Sequence, residues 1–373
     1  MTKQNMFAEL CTWENLFLAF RYAAKGKRGQ PNVARFEHKL EENLIEIQKN
    51  LLARSYQPGR YDNFYIHEPK RRLISAAPFR DRVVHHALCN VIEPIFERSF
   101  IHDSYANRVG KGTHRALDRI QKFSRRFPYC LQCDVRQFFP SIDHQILYDS
   151  LKKKIFDEDI LWLINQIMTS GAGIFNDSYD TVFFPGDNIF SLVRPRGLPI
   201  GNLTSQFWAN CYLNPFDHFV KRHLRCKGYV RYVDDIILFA DSKPLLWSWL
   251  DELRCELDKL RLTIHRGAHP KPVSEGMPFL GFIVYPRRKR LKRAKGLYFQ
   301  RKLKKQAKQY QSGLISMKQI NETVRAWVNH VRYGNTVGLR KAVFKGFVFS
   351  RTKAPSPIIH HSVDSKKNID MLE

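Results

Sequence analysis

Gly228-Tyr229-Val230-Arg231-Tyr232-Val233-Asp234-Asp235-Ile236-Ile237-Leu238-Phe239 is the stretch on which the reading of this chain turns. Two β-favouring runs flank a pair of adjacent aspartates, the pattern of a hairpin with both carboxylates at its tip. Side-by-side carboxylates repel each other, so the pair is tolerable in water and useful where a cation sits between them. A solvated turn is the alternative, because Asp is common in hairpin connections. On this stretch alone the two readings stand level.

Composition points outward from the pair. The 373 residues carry a formal charge of +27, which calls for a nucleic-acid or anionic-membrane partner. No apolar run reaches the roughly 20 residues that span a bilayer, and the N-terminus lacks a signal-peptide pattern. The expectation is therefore a cytoplasmic, nucleic-acid-binding protein with no membrane partner. Seven scattered cysteines fit a reduced compartment. Cys130 and Cys133 form a lone CxxC inside an apolar run, without the second ligand pair a structural zinc requires. His85-His86 and His360-His361 likewise lack a ligand cluster and read as structural or solvated.

Upstream, residues 7–55 carry a helical pattern, with Leu40, Leu44, Ile47 and Leu51 at helical spacing and a basic loop at 25–29. Residues 61–77 turn β-like around the basic turn Pro69-Lys70-Arg71-Arg72. A helix over 82–98 is expected to kink or break at Pro94. The loop 104–113 (SYANRVGKGT) leads to a helix over 115–123 with Thr113 as its N-cap; its GKGT is wrongly spaced for a P-loop. Residues 129–134 read as a buried strand ending on Asp134, followed by Phe138-Phe139 and a helix over 144–154. Residues 171–195 form a loop or hairpin insertion. Residues 196–206 (RGLPIGNLTSQ) are a turn entering a helix over 207–224, and 245–260 is amphipathic. Residues 279–285 read as a strand whose Gly281 admits a close backbone approach. Past residue 286 Lys and Arg dominate, and 349–373 reads as a disordered tail.

Nucleotidyl transfer needs two cations bridging the incoming triphosphate, the attacking 3′ oxygen and the leaving pyrophosphate, held by carboxylates from separate elements. Asp134 on a strand end and Asp234-Asp235 on a hairpin are residues of that kind. At this point the chain resembles a family. Tyr232-Val233-Asp234-Asp235 resembles the YxDD box of reverse transcriptases, and further landmarks follow in that family's order between residues 60 and 340. The resemblance implies an α/β (α+β) right-hand polymerase with fingers, palm and helical thumb. Its parts would be an N-terminal helical extension at 1–60, fingers and palm at 61–285, a basic thumb at 286–348 and the tail.

By the same resemblance Asp134, Asp234 and Asp235 are catalytic and, with the Val135 carbonyl, hold two Mg²⁺ ions, for which Mn²⁺ can substitute. Phe139 is the gate against a ribose 2′-hydroxyl. Lys70-Arg71-Arg72-Leu73-Ile74 resembles the fingers strand, with Arg72 and then Lys70 on the triphosphate. Gly201, Asn202 and Gln206 lie against the nucleotide. Arg108, Ile200, Tyr232, Leu280 and Gly281 meet primer or template, the last two within a primer-grip hairpin. Arg266 and Lys271 are both candidates for the basic residue that protonates pyrophosphate.

The run Ile200-Gly201-Asn202-Leu203-Thr204-Ser205-Gln206 departs from the QGxxxSP-like box common in bacterial reverse transcriptases. It resembles the form found in diversity-generating retroelements of bacteria and phages. That implies an error-prone enzyme copying a structured template-repeat RNA into cDNA from dNTPs, with a small basic accessory variability protein. A retron, group II intron-like or phage-defence enzyme is the nearest alternative, and a catalytically silent RNA-binding protein the more distant one. No endonuclease, RNase H or protease pattern follows the thumb, so partners acting in trans are expected.

Overall fold

The computed structural model describes residues 5–67, 71–177, 179–345, 347, 349 and 350. The chain divides into two compact units, one of residues up to 280 with 284–287, the other of 281–283 with the residues from 288 on. Residues 5–60 belong to the same unit as the strands that follow. No helix among the described residues is long and apolar enough to cross a membrane.

In the first unit, α1 (Met6–Leu10), α2 (Trp13–Ala24), α3 (Pro31–His38) and α4 (Leu40–Leu52) form a helical layer. Asn5 and Thr12 cap the first two through their side chains, satisfying backbone donors that a helix start leaves open. Leu44, Ile47 and Leu51 make the buried stripe of α4, as their spacing requires. The layer packs on α5 (Phe79–Glu97) through the rings of Phe20, Phe36 and Phe79, whose centroids lie 5.1–6.2 Å apart. The helix α5 runs through Pro94 instead of ending there. Val91, Ile92 and Phe96 are buried around the proline, and that packing outweighs the one backbone hydrogen bond it removes.

Strands β1 (Asp62–Ile66) and β2 (Arg72–Ala76) pair antiparallel. Helix α6 spans Thr113–Ser124, so Thr113 opens the helix; the cap position belongs to Gly112, at φ 97°. Then come β3 (Tyr129–Asp134), α7 (Phe138–Ser141), α8 (His144–Lys152) and α9 (Glu158–Ser170). The described part of insertion 171–195 has no strand; its one regular piece is a short 3₁₀ turn, Ile189–Val193. Helix α10 (Leu203–His218) begins four residues earlier than the hydrophobic pattern indicated and ends in a π-turn, Phe219–His223.

Strands β4 (Gly228–Tyr232) and β5 (Asp235–Ala240), helix α11 (Lys243–Lys259) and strand β6 (Pro270–Pro272) complete the central sheet, in the order β4-β5-β3-β6 with every pairing antiparallel. Helix α6 lies against β4 and α11 against β5 and β3. Covered strands explain why Tyr229 and Val230 of β4 and Ile236–Phe239 of β5 are buried on both faces, the cause of the continuous apolar runs in the sequence. Cys130 and Cys133 are free thiols buried in β3. Residues 277–285 are two short strands, β7 (Met277–Phe279) and β8 (Phe282–Val284), around a Leu280-Gly281 turn.

In the second unit β9 (Lys289–Leu291) precedes α12 (Arg293–Gln311), α13 (Met317–Val331) and α14 (Val337–Phe344). Phe299 stacks on Trp327 at 4.1 Å between centroids, and Leu303, Ile320 and Val343 close a small core. The tail, apart from 349 and 350, lies outside the described residues.

Candidate active site

The sheet register brings the acids together. Asp134 ends β3 directly opposite Asp235, the first residue of β5, while Asp234 occupies the turn just before it. That turn, Val233-Asp234, joins two strands paired up to Tyr232 and Asp235. Two-residue hairpin turns require positive φ, normally from Gly or Asn. Val233 adopts φ 57°, a conformation that strains a β-branched residue by roughly 1–3 kcal/mol.

Arg231 offsets that strain from within the core. Its Nη1 donates to the Val233 carbonyl (3.0 Å) and to Asn210 Oδ1 (3.1 Å), while Nε and Nη2 donate to the Asp217 carboxylate at 2.7 and 2.6 Å. The Tyr229 hydroxyl donates to the same carboxylate at 2.7 Å. Arg231 and Asp217 are both fully buried. The backbone of Arg231 is clamped too, its N–H donating to the Asp103 carbonyl and its carbonyl accepting from Tyr105, both at 3.0 Å. Motif reading passed over Arg231, Asp217 and Asn210. The available signal was a single charge inside each of two apolar runs, since a lone buried charge needs a buried partner.

Burial, and then the charge of Asp134, push the Asp234 carboxyl up from 3.8 to about 6; Arg72 and Arg231 pull against the rise. Among the described residues no three side chains form a ready-made metal cluster. Mg²⁺, however, keeps several waters and takes one or two carboxylates plus substrate phosphates, so a preassembled cage is not required. A crowded acidic spot where burial and then a neighbouring carboxylate disfavour ionisation is a donor set that a divalent cation relieves, and the residues fit such an ion. The short bridge between Val135 and Ile264 uses the Arg136 and His265 amides, which donate to Thr263 (2.8 Å) and Asp134 (3.0 Å), so the Val135 carbonyl is not consumed there. His265, also unanticipated, sets Nε2 3.8 Å from the Asp134 carboxylate.

Arg72 opens β2 with its side chain exposed and making no side-chain hydrogen bond among the described residues, within electrostatic reach of Asp234. Lys70 lies outside the described residues. Phe139 is half-buried on α7 with its ring edge-on to Phe138 at 5.5 Å. Ile200, Gly201 and Asn202 reach β2. The Ile200 carbonyl accepts from Ser75 N–H (2.9 Å), the Asn202 amide donates to the Ser75 carbonyl (2.8 Å), and its Oδ1 accepts from Ala77 N–H (3.1 Å). Asn202 is thus a buried strut whose amide group is engaged within the protein. Gln206 is half-buried in the first turn of α10.

Gly201 sits at φ 116°, and a Cβ there would come within 3.0 Å of Ile74 Cγ2. Gly201→Ala is expected to lose roughly 1–3 kcal/mol of stability, read as a lower guanidinium midpoint at unchanged slope.

Arg108 is turned inward. Its guanidinium donates to Glu97 at 2.6–3.0 Å and to the carbonyls of Ile101 (2.6 Å) and Ser104 (3.0 Å). It ties the loop to the end of α5, which engages most of its donors within the protein. The Tyr232 hydroxyl meets Thr113 Oγ1 at 3.2 Å and its ring sits edge-on to Phe279 at 6.3 Å, which makes Tyr232 a brace for the hairpin. Leu280 (φ 45°) and Gly281 (φ 89°) form a tight turn. Within the protein a Cβ on Gly281 would meet nothing nearer than 3.9 Å, so the glycine is required here by the positive φ of the turn. Lys271 pairs with Cys130, four residues up β3 and about 13 Å from Asp134 at ~3.3 Å per residue. Arg266 lies next to His265 on the exposed loop.

The chain is 24% identical over 304 residues to Protein YkfC of Escherichia coli (strain K12), covering 69% of this chain and 75% of that protein. It is 26% identical over 183 residues to the Group II intron-encoded protein LtrA of Lactococcus lactis subsp. cremoris, covering 48% of this chain and 28% of LtrA. Among solved structures, apo telomerase from Candida Tropicalis is similar with a TM-score of 0.45 at 12% identity, covering 65% of this chain and 52% of that one. The chain therefore spans only part of the length of LtrA and of the telomerase. A family model described as reverse transcriptase (RNA-dependent DNA polymerase) matches residues 66–284, more than half of the 373 and a span holding all three acids. The chain belongs to the reverse transcriptase family.

Proposed function

We propose that this protein is an RNA-directed DNA polymerase that extends a primer 3′ end with dNTPs on an RNA template. The observation that carries the reading is the meeting of Asp134 with Asp234 and Asp235 at one end of the sheet, where burial and then the charge of Asp134 raise the Asp234 pKa. Two Mg²⁺ ions bound there would activate the primer hydroxyl and neutralise charge on the departing pyrophosphate. Asp134, Asp234, Asp235 and the Val135 carbonyl would hold them. Arg72 orients the triphosphate by charge, and the Phe139 ring excludes a 2′-hydroxyl by volume. Gly201 and Ile200 set the spacing between β2 and the start of α10, which fixes the room left for the templating pair. The basic helices α12–α14 supply duplex affinity through phosphate contacts.

Within that activity we place the chain with the error-prone enzymes of diversity-generating retroelements, on the strength of the run 200–206. An apolar Ile200 removes a polar group from beside the nascent pair and with it hydrogen-bonded control of pairing. A template-repeat RNA and a small basic accessory protein belong to this proposal. The similarity to LtrA favours a second reading, an accurate intron-type enzyme.

Primer extension on RNA with Mg²⁺, followed by cDNA sequencing, separates the two. Misincorporation concentrated opposite template adenines is the expected result; errors spread evenly and rarely over all bases would assign the chain to the second reading. No extension from the wild type, with native RNA and accessory protein added, would overturn the polymerase reading.

A further inference from the structure

Next to the acids, with His265 in its lining and 3.8 Å from the Asp134 carboxylate, lies a cleft of about 980 Å³. This is the upper end of the roughly 300–1,000 Å³ range of ligand clefts. Its walls come from Arg136 just after β3, the 181–183 part of the insertion, α11 and the loop 262–267. Arg136, Arg254, His265 and Arg266 line it with a single acid, Asp258, and Phe183 lines it while remaining 63% exposed.

The walls are set in advance of any ligand. Arg136 pairs with Asp180, whose N–H donates to Gln137 Oε1 at 3.1 Å. Asp187 accepts from Phe184 N–H (2.9 Å) and Arg261 Nη1 (3.0 Å), which pins the insertion to the end of α11. Arg254 pairs with Asp251 at 2.9 Å, whereas Arg266 has no ion pair among the described residues. A rigid apolar ring left in water beside guanidinium groups suits a ligand that is flat and apolar on its face and anionic along its edge. Nucleotides have that form, and a ring plus a basic groove is the arrangement that holds unpaired strands.

We propose that this cleft, which adjoins the site of chemistry through His265, is a binding site for single-stranded nucleic acid. One base lies flat on Phe183, its phosphate meets Arg266, and Arg136 and Arg254 line the path of the neighbouring backbone. The proposal concerns binding and stands whether or not the chain extends primers.

Fluorescence anisotropy with labelled oligo(U), oligo(dT) and a short blunt duplex tests it on the full chain. Phe183→Ala is expected to weaken single-strand binding roughly 5- to 150-fold, the range that base–aromatic stacking gives on truncation, without altering the salt dependence. Arg266→Ala is expected to reduce the slope of log affinity against log salt by about 0.7, one single-strand phosphate contact. Duplex affinity should stay unchanged in both variants, and because both side chains are exposed, circular dichroism should match the wild type. The stronger of the oligo(U) and oligo(dT) responses identifies the strand. Wild-type binding in both variants overturns the proposal, and so does an equal loss for single strand and duplex. Displacement of the oligonucleotides by micromolar dTTP also overturns it, because the cleft would then hold a free nucleotide.

Discussion

Asp234→Asn is expected to give a protein that is inactive and, without divalent cations, more stable than the wild type above pH 6. The two effects share one cause. The folded chain holds the Asp234 proton up to about pH 6, whereas an ordinary aspartate releases it near 3.8. Between those values the folded state binds more protons than the unfolded one, so wild-type stability falls as pH rises through the window and stays lowered above it. Asparagine has no charge to confine. The gap between variant and wild type should be near zero at pH 3–4, open through pH 4–6 and level off by about pH 7. The rise from 3.8 to about 6 sets a ceiling of about 3 kcal/mol, which partial solvent exposure reduces to about 1–2 kcal/mol. Guanidinium unfolding in EDTA across pH 4–8 measures it. In the extension assay with Mg²⁺ the same variant should lose about 10²–10⁴-fold, the several kcal/mol that bound cations contribute. A variant that still extends primers, or that loses stability at pH 8, would remove Asp234 from the role assigned here.

Arg231→Met is expected to have the largest effect on folding of any single change in the sheet. It strands the fully buried Asp217 carboxylate without its bidentate partner and frees the Val233 carbonyl. Breaking one side of such a pair costs about 3–5 kcal/mol, mostly from the orphaned charge. The sign of the double variant is the sharper test. Arg231→Met with Asp217→Leu removes both charges, and by the same reasoning should recover much of the loss in a denaturant titration. Extension should not recover with it, because the strained Val233 turn would still lack the guanidinium that holds its carbonyl. Recovery of both stability and activity would show that the hairpin stands without Arg231.

The order of elements was largely legible because their periods are strong. Alternation and apolar runs mark β3, β4 and β5 within a residue of their observed ends, and the stripe of α4 lies where Leu44, Ile47 and Leu51 put it. Local rules failed where packing or turn geometry overrode them. Pro94 stays inside α5 because buried neighbours hold the helix, and Thr113 yields the cap to Gly112, its own hydroxyl meeting Tyr232. Arg108 and Asn202 show the same limit in the site. Both stand in motif-like runs, yet their polar atoms are engaged by Glu97, 11 residues away across a loop, and by β2, 127 residues away, choices of partner that only the folded backbone fixes.

The sequence by itself determined the family, the three carboxylates and the two strand-bearing segments that present them, because residue type and period are local properties. It also carried the basic balance that selects a nucleic-acid partner. Only the tertiary structure decided that Asp134 faces Asp235, that Arg231 and Asp217 underlie the turn, and that Phe183 and Arg266 share a cleft. These pairings join residues separated in the chain, from 14 positions for Arg231 and Asp217 to 101 for Asp134 and Asp235. Such pairings are set by strand register and by the need of every buried charge for a counter-charge, and neither is visible until the chain has closed on itself.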